Sequence, residues 1–150
     1  MELDFYTYIL KVGAAALAGA LMGLERKVKD KPAGLKTYTL VAIGAATFVA
    51  ISLLFKSFQN TDMTRIIGQI VVGVGFLGSG VILHNEEKTK VKGLATSATI
   101  WCSAAAGCLA GFSLYMPLLG LTIFVVLVNI LFGFLNSKVE KETDDVNSEQ

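Results

Sequence analysis

The stretch GLATSATIWCSAAAGCLAGFSLYMPLLGLTIFVVLVNILFGFLNS, residues 93–137, decides the fold because its 45 residues carry no charge. A helix needs roughly 20 apolar residues to cross the hydrocarbon core of a bilayer, so this stretch is long enough for two crossings. Pro117 divides it, since proline disfavours the continuation of a helix. The sequence therefore predicts two transmembrane helices here, over residues 94–112 and 117–136.

Three more apolar stretches lie toward the N-terminus. Residues 37–55 and 66–83 hold 19 and 18 residues without a charge, which suits one crossing each. Residues 5–24 form a weaker candidate because Lys11 interrupts them, although a lysine near a helix end can extend to the interface. We therefore predict an all-α, polytopic integral membrane protein, a compact bundle of about five transmembrane helices within residues 1–136. We expect the charged tail, residues 137–150, to be short, cytoplasmic and disordered.

The basic residues are distributed unevenly around these spans. With five crossings, the first and third loops and the tail lie on one side of the membrane, and they carry 10 of the 13 lysines and arginines. The positive-inside rule makes this side cytoplasmic, so we expect the N-terminus outside and the C-terminus in the cytoplasm. The net charge of +1 argues against a nucleic-acid-binding protein.

The segment QIVVGVGFLGSGVI, residues 69–82, contains the spacing G-x-G-x-x-G in Gly73, Gly75 and Gly78. In a dinucleotide-binding turn, a strand precedes these glycines, a helix begins at them, and an acidic residue follows about 20 positions later. Here apolar, span-length sequence lies on both sides, and residues 88–139 contain no acidic residue. We interpret these glycines as packing residues, because small side chains let helices approach each other closely in lipid.

Small residues recur at helical spacing in most of the spans. In the third span they form two opposed stripes, which predicts a helix that lies between two neighbours, whereas the bulkier fifth span suits the periphery of the bundle. The residues that we expect to pack helices together are Gly19, Gly23, Gly68, Gly73, Gly75, Gly78, Ser79, Gly80, Ser103, Gly107 and Gly111.

Polar residues at the span ends are candidates for function. Glu25 and Arg26 either are interfacial charges or form a fixed salt bridge or recognition point. Asp62 is suited to cap the third span, and Arg65 lies one turn further on, where the two could pair. Gln69, one turn inside that span, either braces a close contact or lines a polar pocket.

Inside the spans, polar side chains must find partners other than water. Asn129 lies in the middle of the fifth span, where an amide normally bonds to a neighbouring helix. The hydroxyls of the fourth span, including that of Thr96, can bond to backbone carbonyls. Cys102 and Cys108 lie six residues apart in one predicted helix, too far for a disulfide. His84 has no second His or Cys nearby, and no nucleophile–base pair is evident. We therefore expect no enzyme, no metal site and no cofactor.

Four segments carry a family resemblance when they are taken together. They are GLERK (23–27), KPAGLKTYTLVAIGAATF (31–48), DMTRIIGQIVVGVGFLGSGVI (62–82) and VKGLATSATIWCSAAAG (91–107). In this order they resemble the signature blocks of the MgtC/SapB family. The resemblance implies a multi-pass protein of the bacterial inner membrane that is linked to magnesium homeostasis at low magnesium and to virulence through survival inside host cells. It also implies a regulator of other membrane proteins rather than a magnesium pump.

The resemblance extends to single residues. Lys36 stands where the family usually has arginine, and the two are not equivalent if a site needs a bidentate fork. Many members also carry a soluble C-terminal domain, and the ending KVEKETDDVNSEQ resembles the short form that lacks it. The residues that match motif positions are Glu25, Arg26, Gly34, Asp62, Arg65, Gln69, Gly73, Gly75, Gly78, Gly80, Gly93, Thr96, Trp101 and Cys102.

Two functional hypotheses follow from these observations. The first is a non-enzymatic regulatory or scaffolding protein that acts through helix–helix contacts in the lipid bilayer, with other membrane proteins or with a second copy as a homodimer. The small-residue faces are equally explained by packing inside one bundle. The second hypothesis is a transporter or channel for a cation such as Mg²⁺ or for a small solute, with a path lined by Gln69 and hydroxyls. The spans contain no acidic residue, which argues against a dedicated cation path.

Overall fold

The computed structural model describes residues 4–28, 33–56, 62–84 and 91–148. These residues form five α-helices, and each helix contains a stretch of 18 or more residues that is apolar enough to cross a membrane. A two-residue antiparallel ladder connects the third helix to the fourth. The prediction of an all-α membrane protein with five spans is confirmed. The elements are α1 (Phe5–Val28), α2 (Leu35–Leu53), α3 (Thr64–Val81), β1 (Leu83–His84), β2 (Val91–Lys92), α4 (Leu94–Gly111) and α5 (Tyr115–Ser148).

The helices alternate in direction, which gives the bundle two ends. We call the end that holds β1 and β2 the hairpin end, and the opposite end the N-terminal end. Gly93 begins α4 at the hairpin end with a φ of 97°, a conformation that side chains rarely adopt. A Cβ at this position would collide with the carbonyl oxygen of Val81. Glycine is therefore required here for the chain to turn from the ladder into α4.

The break between α4 and α5 differs from the predicted one. The backbone N–H of Ser113 donates to the carbonyl of Ala110, and that of Leu114 donates to the carbonyl of Leu109, each at 2.9 Å. Together with the φ of 61° at Ser113, these bonds form a Schellman motif. Pro117 lies in the first turn of α5, where a missing N–H costs little. Helix α5 therefore begins two residues before Pro117, and the left-handed conformation of Ser113 separates it from α4.

Helix α5 continues without a break to Ser148, whereas the sequence composition predicted a disordered tail after residue 136. Residues 137–148 contain no glycine or proline and include two lysines and two glutamates. These residue types favour a helix once a preceding one has nucleated it. A high charge content therefore argues only against burial of this segment, and it does not exclude a helical backbone.

The centre of the bundle consists of α1, α2 and α4. A Cβ at Gly19 would lie 2.6 Å from the carbonyl oxygen of Tyr38, and one at Gly23 would lie 2.7 Å from the Cα of Leu35. A Cβ at Gly107 would lie 2.8 Å from that of Ala45, so at all three positions glycine lets the helix backbones touch. Similar contacts occur at Gly111, and the buried alanines between these helices are Ala15, Ala18, Ala42, Ala46, Ala106 and Ala110.

Helix α3 touches α2 only slightly, so the prediction that each of its small-residue stripes faces a neighbour is wrong for the described chain. It packs mainly on α4, where Gly78 contacts Ser97, and its bulky ridge around Ile70 and Val74 faces the core. The helical repeat correctly groups residues by face, but it does not determine which face meets a neighbour. The small residues of α3 that were expected in contacts and are instead open or exposed are Gly68, Gly73, Gly75, Ser79 and Gly80.

Candidate functional site

A buried polar cluster, which we call the Arg26 cluster, joins α1, α4 and α5 near the hairpin end. It consists of Arg26, Thr99 and Asn129, and Arg26 and Asn129 are only 7% and 8% exposed. The Nη2 of Arg26 donates to the Oγ1 of Thr99 at 3.3 Å and to the Oδ1 of Asn129. The Thr99 hydroxyl lies 3.3 Å from the same amide oxygen. The three side chains therefore form one hydrogen-bonded unit across three helices.

In the Arg26 cluster, two neutral side chains accept hydrogen bonds from a positively charged guanidinium. A buried charge is costly unless hydrogen bonds replace its water. Thr99 and Asn129 supply such bonds without adding a charge, so the three side chains together carry one positive charge. The Nδ2 of Asn129 is buried and has no hydrogen-bond partner among the described residues. The sequence predicted that Asn129 bonds to a neighbouring helix, and it does so.

Tyr38 is a second buried polar residue, and the sequence reasoning missed it. Its side chain is fully buried, and its hydroxyl donates to the carbonyl of Thr96 at 3.2 Å. The Ser103 hydroxyl donates to the carbonyl of Tyr38 at 2.6 Å, and Gly19 packs against the same carbonyl. A tyrosine within a span needs a partner for its hydroxyl, and that requirement was the available signal. Tyr38 thereby fixes α2 against α1 and α4.

Lys11 closes the C-terminus of α4, at the N-terminal end of the bundle. Its Nζ donates to the carbonyl oxygen of Gly111 at 2.8 Å, and the side chain is buried. A cation at the C-terminus of a helix compensates the helix dipole and satisfies a carbonyl that has no partner within the helix. Lys11 therefore connects α1 to α4 instead of simply extending to the interface.

Asp62 caps the start of α3 through Thr64. Its Oδ1 accepts the backbone N–H of Thr64 at 2.9 Å and the Thr64 hydroxyl at 2.6 Å. The Thr64 hydroxyl and then its N–H hold the pKa of the Asp62 carboxyl below its ordinary value, and the charge of Arg65 adds a smaller effect. Asp62 is thus bonded to Thr64 rather than paired with Arg65. Lys36 is exposed at the start of α2.

An apolar groove, which we call the α2–α3 groove, opens between these two helices. Its volume is about 590 Å³, and Gly44 and Gly73 face it without any atom within 4 Å of a Cβ. Among the described residues that line it, Gln69 alone has a polar side chain. The Gln69 side chain is exposed, and its amide makes no hydrogen bond within the part of the chain that the structure describes. Gln69 therefore lines a groove rather than bracing a contact.

The remaining candidates do not join the Arg26 cluster. Trp101 is exposed on α4 and lines a second groove of about 430 Å³ between α3 and α4. Cys102 is half-buried against the alanine core, and both Cys102 and Cys108 are free thiols. The side chains of Glu25 and His84 lie outside the described residues. The motif residues are therefore distributed over the bundle core, its N-terminal end and the two grooves beside α3.

A comparison with known protein families shows which family the chain belongs to. The sequence profile of the MgtC family matches residues 12–138. The chain belongs to the MgtC family. The matched region includes the whole Arg26 cluster and both grooves, and the family resemblance that the sequence motifs indicated is confirmed. The five apolar helices and the family membership agree that the protein is a multi-pass membrane protein.

Individual relatives in the MgtC family are similar over most of this chain. It is 47% identical over 120 residues to Protein MgtC of Brucella abortus (strain 2308), covering 80% of this chain and 49% of the relative. It is 45% identical over 126 residues to Protein MgtC of Salmonella typhimurium (strain 14028s), covering 84% of this chain and 52% of the relative. The chain thus spans about half the length of the curated relatives it matches. No solved structure matches the chain.

Proposed function

We propose that this MgtC-family protein is a non-enzymatic regulatory or scaffolding protein of the bacterial inner membrane. It works through helix–helix contacts, with its N-terminus outside and its C-terminus in the cytoplasm. The proposal includes the roles that the family resemblance implies, in adaptation to low magnesium and in virulence through survival inside host cells. Other membrane proteins or a second copy are the partners that such contacts can take.

The open surface of α3 is the observation that carries this proposal. In α1 and α4, closely packed glycines such as Gly19 and Gly107 are covered by neighbouring backbone. In α3, by contrast, Gly73 and Gly75 have no atom within 4 Å of a Cβ. Small residues promote helix association in lipid because they allow close packing. A surface of this kind on an otherwise packed bundle is suited to another transmembrane helix.

The composition of the spans favours a regulatory role over a cation transporter. The polar side chains of Arg26, Thr99 and Asn129 hydrogen-bond to one another across α1, α4 and α5. Paths for hard cations usually present carboxylates or several oxygen ligands, and the spans contain no acidic residue. These features support the first hypothesis over the transporter alternative.

Complementation of a deletion strain tests the proposal. We expect Gly73→Leu and Gly75→Leu to abolish growth at low magnesium, because the added side chains block close approach to α3. Gly120→Leu on α5 is the matched control, since it also fills open space on the bundle surface but should leave function intact. Protein levels and thermal stability are compared in the same membranes. Full complementation by both α3 variants at wild-type levels contradicts the proposal.

A further inference from the structure

Helix α3 is anchored to the bundle mainly along the half that lies toward the hairpin end. Its buried residues, Val74 and Gly78, both belong to that half. Gly78 is covered by the Ser97 hydroxyl of α4. By contrast, every residue of the first half of α3, which we define as residues 64–73, is exposed or only half-buried. The first half is therefore held less firmly than the second.

The α2–α3 groove lies beside this first half and has glycine on both of its walls. Its lining spans residues 40–48 of α2 and, in the opposite direction, residues 66–77 of α3. Gly44 and Gly73 lie near the middle of these two ranges, and a Cβ on either would meet no atom within 4 Å. At another surface of α2, Gly107 of α4 lies directly against the helix. The groove thus has the residues of a close helix contact without the contact.

The groove can be filled in two ways in a bilayer. Acyl chains can occupy it, or α3 can tilt toward α2 until Gly73 meets Gly44. Lipid tails are as apolar as the lining side chains, so the two arrangements differ little in the apolar surface that they cover. Close packing of small residues favours the tilted helix, whereas the loss of helix mobility opposes it. Two states of comparable free energy are the expected result.

We infer that α3 pivots about the contact of Gly78 with Ser97, so that its first half closes the α2–α3 groove. The structure shows the open state. In the closed state Gly73 lies against Gly44, and this side of α3 no longer accepts another helix. The inference rests on the proposed function, because closure regulates the same α3 surface. A partner helix binds the open state and competes with closure.

Gln69 gains a hydrogen-bond partner in the closed state. A helical side chain points toward the N-terminus of its helix, so Gln69 extends toward the N-terminal end of the bundle. Ser52 lies at that end of α2, about two turns beyond Gly44 and within the sector that lines the groove. Its hydroxyl donates to the Val49 carbonyl at 2.8 Å, which leaves the oxygen able to accept from the Gln69 amide. Closure therefore removes an exposed amide from the lipid.

A disulfide across the groove tests the closure. Gly44→Cys and Gly73→Cys are combined in a background that lacks the native thiols, Cys102→Ala with Cys108→Ala. A disulfide requires Cβ atoms about 3.5 to 4.5 Å apart, a separation that closure provides. We expect copper–phenanthroline oxidation in native membranes to link the two cysteines within one chain, as mass spectrometry of the monomer detects.

The matched control pair spans the second groove, between α3 and α4. It combines Val71→Cys with Ala105→Cys, two positions that line opposite walls of that groove. Because tilting toward α2 moves the first half of α3 away from α4, this pair should remain reduced. Absence of the disulfide between positions 44 and 73, or equal disulfide formation in both pairs, overturns the inference.

Pulsed EPR distances in nanodiscs cover the case in which the groove cysteines disturb folding. Spin labels at Ile51→Cys and Gly68→Cys, two exposed positions, measure the separation of α2 and α3 at the N-terminal end. We expect two distance populations, and we expect Gly44→Leu to remove the shorter one, because its side chain fits only the open groove. Labels at Leu40→Cys and Gly80→Cys, near the pivot, should give one population. A single distance between positions 51 and 68 that Gly44→Leu leaves unchanged overturns the inference.

The outcomes separate this inference from the proposed function. If the groove does not close but Gly73→Leu still abolishes complementation, only the inference fails. If the groove closes but Gly73→Leu complements fully, the movement of α3 stands and the proposed regulatory contact fails.

Discussion

At the scale of single residues, Asn129 determines how three helices meet. Its amide oxygen accepts hydrogen bonds from Arg26 on α1 and from Thr99 on α4, although it lies within an apolar stretch of α5. Apolar contacts in a membrane bundle discriminate weakly between rotations of a helix, because lipid is as apolar as leucine. A buried guanidinium and an amide that must hydrogen-bond to each other strongly favour one rotation of the helix over the others. The rotation of α5 therefore depends on this residue more than on its bulky neighbours.

Replacement of Asn129 by leucine should destabilise the protein. Asn129→Leu removes an acceptor from a buried guanidinium, and we expect a loss of about 2 to 3 kcal/mol in the free energy of unfolding. Unfolding of the purified protein by SDS titration measures this change. Thr122→Val is the control in the same helix, because among the described residues the buried Thr122 hydroxyl bonds within α5, to the Leu118 carbonyl. Asn129→Asp should retain stability, since it keeps an acceptor for Arg26. Equal stability of Asn129→Leu and wild type contradicts the assigned role.

At the scale of helices, the sequence predicted well which segments form helices. It predicted poorly which helices pack against each other. The uncharged stretches gave five spans because a bilayer imposes a minimum apolar length, and that constraint is local. The contact of Arg26 with Asn129 joins residues 103 positions apart, and no local pattern contains that information. The helical repeat grouped the small residues of α3 correctly, but a bulky ridge and a small-residue stripe can each face either a neighbour or lipid. Close packing was expected at Gly73 and Gly107 alike, and only Gly107 is covered.

The difference between covered and open glycines predicts different effects of alanine. Gly107→Ala places a methyl group against the carbonyl of Ala42 and the Cβ of Ala45, so α2 and α4 must separate. We expect a loss of about 1 to 3 kcal/mol in stability, the usual cost of overpacking. Gly44→Ala in α2 is the control, because a Cβ there meets no atom within 4 Å, and it should be neutral or slightly stabilising. The same SDS titration compares both variants. A neutral Gly107→Ala would show that this helix pair is not closely packed.

At the scale of the whole molecule, hydrogen bonds from polar side chains hold the helices of the bundle together. The polar side chains that the structure describes do not form a continuous path through the bundle. Lys11 bonds to the last residue of α4 at the N-terminal end of the bundle. Tyr38 bonds to α4, and Arg26 bonds to α4 and α5, both near the hairpin end. Two of these three side chains, Lys11 and Arg26, are cations, and both lie on α1. The two grooves that flank α3 are open on the outside of the bundle and are lined almost entirely by apolar side chains.

This distribution predicts that the protein does not conduct cations. A cation that enters the bundle finds no carboxylate within the five predicted spans to replace its water. Purified protein in sealed liposomes that contain a magnesium-sensitive dye should therefore show the same slow Mg²⁺ entry as empty liposomes, and K⁺ and Na⁺ should behave likewise. An ionophore added at the end verifies that the vesicles are sealed and the dye responds. Saturable Mg²⁺ entry that Gln69→Leu abolishes would instead support the transporter hypothesis and would place its path along the α2–α3 groove.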